Sequence, residues 1–176
     1  NRLHNLDYLR GLAAFGIMFY HYSYWSFGEY DASSFMGRVG TYGVAIGGFC
    51  GSSGQGSYAV AIGSATGQSN QGSAAVAIGY STAQSAQGQS AIAIGESAAQ
   101  YTQQKQAIAL GFFAGRTFQG TNAIAIGSNA GQGTQGTNAI AIGFGAGITN
   151  QGTGTIAIGS NAGSTTQGNV AIAIGN

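Results

Sequence analysis

The feature that most constrains this chain is a sixteen-residue phrase that occurs nine times without an insertion or a deletion. Each copy ends on a glycine, at Gly47, Gly63, Gly79, Gly95, Gly111, Gly127, Gly143, Gly159 and Gly175. A fixed period over most of a chain indicates a repeat architecture in which each unit packs on its neighbours. The strict phase also argues against an active site built from an inserted loop, because no copy carries one.

Within each copy, the residues before the glycine follow the pattern of a β-strand. Ala123, Ile124, Ala125 and Ile126 alternate with period two, so the isoleucines share one face and the alanines the other. Sixteen residues are too few for a helix–turn–helix repeat but suffice for a flattened coil of two short strands and two turns. Stacked coils would pair in parallel about 4.8 Å apart. The sequence therefore predicts an all-β fold, a parallel β-solenoid (β-roll) of about nine coils over residues 44–176.

We expect the branched residues to point inwards, where they would form one continuous apolar stack. This assignment places the alanine columns on a flat outer face. The predicted structural core comprises Ile92, Ile94, Ile108, Ile124, Ile126, Ile140, Ile142, Ile156, Ile158, Ile172 and Ile174.

Two further columns have a clear physical interpretation. A glycine fixed after each strand indicates a corner with positive φ, at Gly63, Gly79, Gly95, Gly111, Gly127, Gly143 and Gly159. A second column is glutamine at all eight of its positions, from Gln55 to Gln167, and one interpretation is a sugar- or surface-binding row. The stronger interpretation is a ladder of stacked amides that hydrogen-bond along the axis. This ladder includes Gln71, Gln87, Gln103, Gln119, Gln135, Gln151 and Gln167.

The composition excludes several classes of function. Only 5% of residues are charged and the net charge is +1, whereas a nucleic-acid binder needs a basic stripe to neutralise phosphates. His4 and His21 are the only histidines, and the repeats contain no aspartate. The repeats thus lack the side chains for acid–base catalysis, for zinc or for calcium. We expect no enzymatic activity, no cofactor, no metal and no nucleic-acid partner.

Residues 1–43 form a separate segment with helical periodicity. Asn5 is a plausible N-cap, and the faces of the following helix are apolar all round, as in a helix buried in protein or in membrane. We expect residues 6–26 to cap the first coil or to dock on a neighbouring subunit, with membrane contact as the alternative. The residues of this assembly helix at three- and four-residue spacing are Leu6, Leu9, Ala13, Ile17, Tyr20 and Tyr24.

Two segments resemble known families. The repeat T-N-A-I-A-I-G-S-N-A-G of residues 121–131 resembles the head repeat of trimeric autotransporter adhesins, the YadA-like head. That resemblance implies a left-handed parallel β-roll, trimerisation and adhesion. The stretch L-D-Y-L-R-G-L-A-A of residues 6–14, followed by F-Y-H at 19–21, resembles the first membrane helix of the acyltransferase-3 family. In that family, the residues that match Arg10 and His21 belong to the catalytic apparatus. Because this match stops where the repeats start, we interpret the segment as a reused structural element.

Three classes of function remain. The leading prediction is a self-assembling structural subunit of an extracellular fibre or surface layer, whose main partner is another copy of itself. It rests on the last coil, which ends in phase at Gly175 and offers an uncapped strand edge. The alternative is the binding head of a trimeric adhesin at the cell surface. An ice-binding solenoid ranks third, because the column from Ser57 to Asn169 is too mixed to form a long threonine ladder.

Overall fold

The computed structural model describes residues 43–175, and the regular structure in this range consists of sixteen short strands. The predicted helix over residues 6–26 lies outside the described residues, as do Arg10 and His21. The strands are β1 Val44–Ile46, β2 Ser53–Gln55, β3 Val60–Ile62, β4 Ser69–Gln71, β5 Val76–Ile78, β6 Ala86–Gln87, β7 Ile92–Ile94, β8 Thr102–Gln103, β9 Ile108–Leu110, β10 Phe118–Gln119, β11 Ile124–Ile126, β12 Thr134–Gln135, β13 Ile140–Ile142, β14 Asn150–Gln151, β15 Ile156–Ile158 and β16 Ile172–Ile174.

The strands alternate between two parallel sheets. The nine-stranded sheet holds the odd-numbered strands and β16, and the seven-stranded sheet holds the even-numbered strands from β2 to β14. Each residue pairs with the residue one repeat away, as Ile124 does with Ile140 and Gln119 with Gln135. The predicted parallel β-solenoid with a 16-residue repeat is confirmed, with about eight turns.

The interior is lined by alanine, so the predicted inward orientation of the branched residues is wrong. Ala123, Ala125 and Ala130 have no exposed surface, whereas Ile126 is 36% exposed and Ile124 is half-buried. The same reversal holds along the nine-stranded sheet. The isoleucines assigned to the core lie on its outer face: Ile92, Ile94, Ile108, Ile124, Ile126, Ile140, Ile142, Ile156, Ile158, Ile172 and Ile174.

The reason is the narrowness of the space between the two sheets. A methyl group built on Gly131 would lie 3.3 Å from the Ala125 Cβ and 2.9 Å from the Gln135 Oε1. The space opposite Ala125 therefore has no room for one more methyl group, and an inward isoleucine would have to push the sheets apart. Alternation with period two indicates which residues share a face of the strand, but it does not indicate which face is inside.

The glycines at the predicted corners have positive φ. Their φ angles lie between +121° and +138° in the seven copies from Gly63 to Gly159. The next coil also passes close by, since a Cβ on Gly127 would lie 2.6 Å from the carbonyl oxygen of Gly143. Conformation and proximity thus both require glycine at this corner.

The orientation of the strands leads to opposite expectations for two neighbouring residues. Ala125→Val overfills a fully buried site and should lower the free energy of unfolding by about 1–3 kcal/mol. Ile126→Ala removes an exposed side chain and should cost about 1 kcal/mol or less, mostly through lost β-propensity. Chemical denaturation of both variants, below the concentration at which chains associate, measures the difference. A larger loss for Ile126→Ala than for Ala125→Val would contradict an alanine interior.

The corner glycines can be tested with a matched pair of substitutions. Gly127→Ala places a Cβ at positive φ and against a backbone oxygen, and the backbone conformation alone should cost about 1–3 kcal/mol. Gly168→Ala is the control, because a Cβ there has nothing within 4 Å. Hydrogen exchange should accelerate across residues 111–143 in Gly127→Ala and stay unchanged in Gly168→Ala. Equal protection in both variants would show that the corner tolerates a side chain.

Candidate functional site

The nine-stranded sheet presents one apolar outer face, formed by the first and third residue of each strand. Nine strands about 4.8 Å apart make this face roughly 40 Å long. All of its residues are half-buried or exposed. We call it the isoleucine face, and it consists of Val44, Ile46, Val60, Ile62, Val76, Ile78, Ile92, Ile94, Ile108, Leu110, Ile124, Ile126, Ile140, Ile142, Ile156, Ile158, Ile172 and Ile174.

The other sheet differs in chemistry. Its outward column carries mainly polar or small residues, such as Asn70, Thr102, Thr134 and Asn150, with Phe118 as the aromatic exception. The two outer faces of the solenoid are therefore unequal. A large contiguous apolar patch on one side of a soluble protein marks an interaction surface. The isoleucine face is thus the strongest candidate site in the described residues.

The glutamine column lies inside the solenoid. Gln119 and Gln135 have no exposed surface, which excludes a surface-binding row at these positions. The Nε2 of Gln135 donates to the carbonyl oxygens of Ile124 at 2.7 Å and Ala139 at 3.2 Å. Each of the eight glutamines donates in this way to a carbonyl oxygen of the nine-stranded sheet. The side-chain amides therefore tie the two sheets together within each coil.

Hydrogen bonds between stacked glutamines form in only part of the column. Gln71, Gln87 and Gln103 each donate to the Oε1 of the glutamine one coil further on, at 3.0–3.1 Å, and Gln151 donates to Gln167 at 3.0 Å. The Oε1 atoms of Gln55, Gln71, Gln135 and Gln151 accept no hydrogen bond. The bond across the coil is thus the constant element, and the axial ladder is an addition to it.

Reactive side chains are scarce in this part of the chain. Across residues 43–175, no three His, Cys, Asp or Glu side chains come together in a group that could hold a metal ion. The Sγ of Cys50 donates to the carbonyl oxygen of Gly47 at 2.8 Å, and burial raises the pKa of this thiol. The same range contains no helix with the length and apolar character to cross a membrane.

The role of the glutamine column leads to a pH-dependent expectation. In Gln135→Glu, a carboxylate would face two carbonyl oxygens in a buried site, so the pKa of the introduced carboxyl should rise above its unfolded value of about 4.3. The variant should be near wild-type stability below about pH 4 and lose at least about 3 kcal/mol as the pH rises to 7. Gln132→Glu, in a half-buried outer column, is the control and should change little. Melting temperatures from pH 3 to 8 test this, and a pH-independent Gln135→Glu would refute it.

No known protein family model matches this chain, and no curated protein or solved structure shows significant similarity to it. The resemblances to adhesin heads and to membrane acyltransferases therefore stay predictions. The function has to be argued from the geometry of the solenoid.

Proposed function

We propose that this protein is a structural subunit that assembles with copies of itself through the isoleucine face. The proposal rests on the orientation of the side chains in the nine-stranded sheet. Alanine fills the interior, and the large branched side chains of all nine strands remain outside. Branched apolar side chains contribute most to stability when they are removed from water. In a single copy this contribution is largely unrealised, and a partner that covers the face would supply it.

A second copy matches this face in shape and period. Both surfaces are flat parallel sheets whose side chains recur about every 4.8 Å along the axis, and sheets pack face to face about 10 Å apart. The branched side chains of one copy would fit between the rows of the other. None of the residues of the isoleucine face is charged, so no like-charge repulsion opposes the contact.

The form of the assembly depends on how many surfaces take part. One apolar face on each copy builds a closed dimer or trimer, whereas growth into a fibre requires a second contact between unlike surfaces. Strand edges at the ends of a solenoid are a suitable second contact. A fibre or surface-layer subunit and a trimeric adhesin head therefore share the isoleucine face and differ in whether the assembly closes. An extracellular location stays a prediction.

The test is to make the face polar without changing the strands. Ile126→Thr, Ile142→Thr and Ile158→Thr, combined in one chain, keep the β-branched shape that strands favour. We expect wild type to sediment as an oligomer and the triple variant to associate at least tenfold more weakly. Phe118→Thr is the matched control, because Phe118 is 39% exposed on the other sheet, close to the 38% of Ile158.

Sedimentation velocity over a range of concentrations distinguishes the outcomes. A single discrete species indicates a closed oligomer, and a broad, concentration-dependent series indicates an open fibre. A wild-type protein that stays monomeric at high concentration contradicts the proposal. So does an oligomer that the triple variant leaves intact, because the contact would then lie elsewhere.

A further inference from the structure

A column beside the isoleucine face carries an aromatic side chain in three alternate coils. This column directly follows the corner glycines. Tyr80, Phe112 and Phe144 are 59%, 44% and 58% exposed, and we call these three residues the aromatic ridge. The other positions are small or polar, and the column reads Gly48, Ser64, Tyr80, Glu96, Phe112, Ser128, Phe144 and Ser160.

The backbone holds the ridge in a regular row. The carbonyl oxygen of Phe112 accepts a hydrogen bond from the N–H of Asn129 at 2.8 Å, and that of Phe144 accepts from Asn161 at 2.7 Å. The same bond recurs at Tyr80, whose carbonyl oxygen accepts from Ser97. Successive members of the column are therefore one coil apart. Successive aromatic residues are two coils apart, which is about 9.6 Å along the axis.

We propose that the aromatic ridge binds an extended, uncharged β-1,4-linked polysaccharide of the glucan or chitin type. In such a chain alternate sugar rings are turned over, so the same ring face recurs once per disaccharide. That repeat is close to the two-coil spacing of the ridge. The apolar C–H face of a pyranose ring stacks on aromatic side chains, which combine a large apolar surface with defined geometry. Successive ridge residues would thus contact one sugar in each successive disaccharide.

The positions between the aromatic residues suit the same ligand. Glu96 lies between Tyr80 and Phe112, and Ser128 lies between Phe112 and Phe144. Their carboxylate and hydroxyl groups can hydrogen-bond the sugar hydroxyls at the rim of the stacked rings. The carboxylate of Glu96 also favours a neutral polymer over an acidic one, because like charges in contact are unfavourable.

The central ring of the ridge is held by neighbouring side chains. Phe112 stacks on Phe113 with ring centroids 4.0 Å apart and an interplanar angle of 26°. The guanidinium carbon of Arg116 lies 4.4 Å from the centroid of Phe113 and 5.7 Å from that of Tyr101. A ring that is already ordered loses less conformational freedom on binding. This site lies outside the isoleucine face and does not depend on self-assembly.

The first experiment measures binding of the full chain to microcrystalline cellulose and to chitin by depletion from solution. The ridge variant combines Tyr80→Ser, Phe112→Ser and Phe144→Ser. Serine already occupies this column at positions 64, 128 and 160, so the fold should accept it, as a melting curve will verify. We expect at least a tenfold loss of affinity. A control with Phe49→Ser and Phe118→Ser removes exposed aromatic residues from other columns and should bind as wild type does.

A second variant tests the spacing rather than the number of rings. Phe112→Ser combined with Ser128→Phe keeps the composition and moves the central ring by one coil. We expect this variant also to lose at least tenfold. Wild-type affinity in the spacing variant would overturn the proposal. So would a wild-type protein that binds helical amylose as tightly as it binds cellulose or chitin.

Self-association is separated from ligand binding by two further measurements. Protein without polymer is centrifuged in parallel, and the isoleucine-face variant with three threonines is tested on the same polymers. Depletion by polymer that persists in this variant supports the ridge as an independent site. Pelleting that the polymer does not increase, or depletion that disappears with the isoleucine face, identifies a second copy as the occupant and overturns the polysaccharide proposal.

Discussion

The narrow interior of the solenoid determines which side chains lie inside it and which lie on its outer faces. One glutamine amide and a few alanine methyl groups span the gap between the sheets in each coil. The Gln135 Nε2 reaches the carbonyl oxygens of Ile124 and Ala139 across this gap, while Ala125 and Ala130 fill the remaining space without exposed surface. The branched side chains that the interior does hold are the small ones of Thr66, Thr82 and Thr155, and the column of Ala125 is alanine throughout. The isoleucines therefore lie outside, on the face through which we propose that copies of the chain associate.

This arrangement divides stability between the coil and the assembly. Within one copy, parallel ladders and glutamine amides satisfy backbone groups, but alanine buries little apolar surface per residue. Covering the isoleucine face would add the larger apolar contribution. Because a partner that binds only the folded state stabilises it by mass action, the apparent stability should depend on protein concentration. Folding and assembly are thus expected to reinforce one another.

The sequence predicted the parts of the fold that follow from periodicity. The position of Ile124–Ile126, the 16-residue register and the left-handed glycine at Gly127 all follow from a strict repeat with small corner residues. The identity of the inward face does not follow from periodicity, because alternation is symmetrical between inside and outside. The variation of residue type within each column is a usable signal for it. The column of Ala125 is alanine in all nine copies, whereas the column of Ile124 also accepts the smaller valine, at Val44, Val60 and Val76. Invariant small residues mark crowding.

Other features required the structure itself. Asn122, Asn129 and Asn138 adopt φ angles of 57–59°, and asparagine is one of the few residues that does so readily. Val170 adopts a φ of 59° in the column of Asn138, although a β-branched residue is strained there. The residues of the aromatic ridge are visible in the sequence at intervals of 32 positions. Only the structure shows that they lie in one row, two coils apart. The N-terminal predictions lie outside the described residues.

The most direct test of an alanine interior is the solvent accessibility of its methyl groups. Protein with labelled alanine and isoleucine methyl groups is studied by NMR with a soluble paramagnetic agent, below the concentration at which chains associate. We expect the isoleucine methyl signals of the nine-stranded sheet to broaden strongly, while those of Ala125 and its column stay sharp. Sharp isoleucine signals together with broadened alanine signals would place the branched residues inside and contradict it.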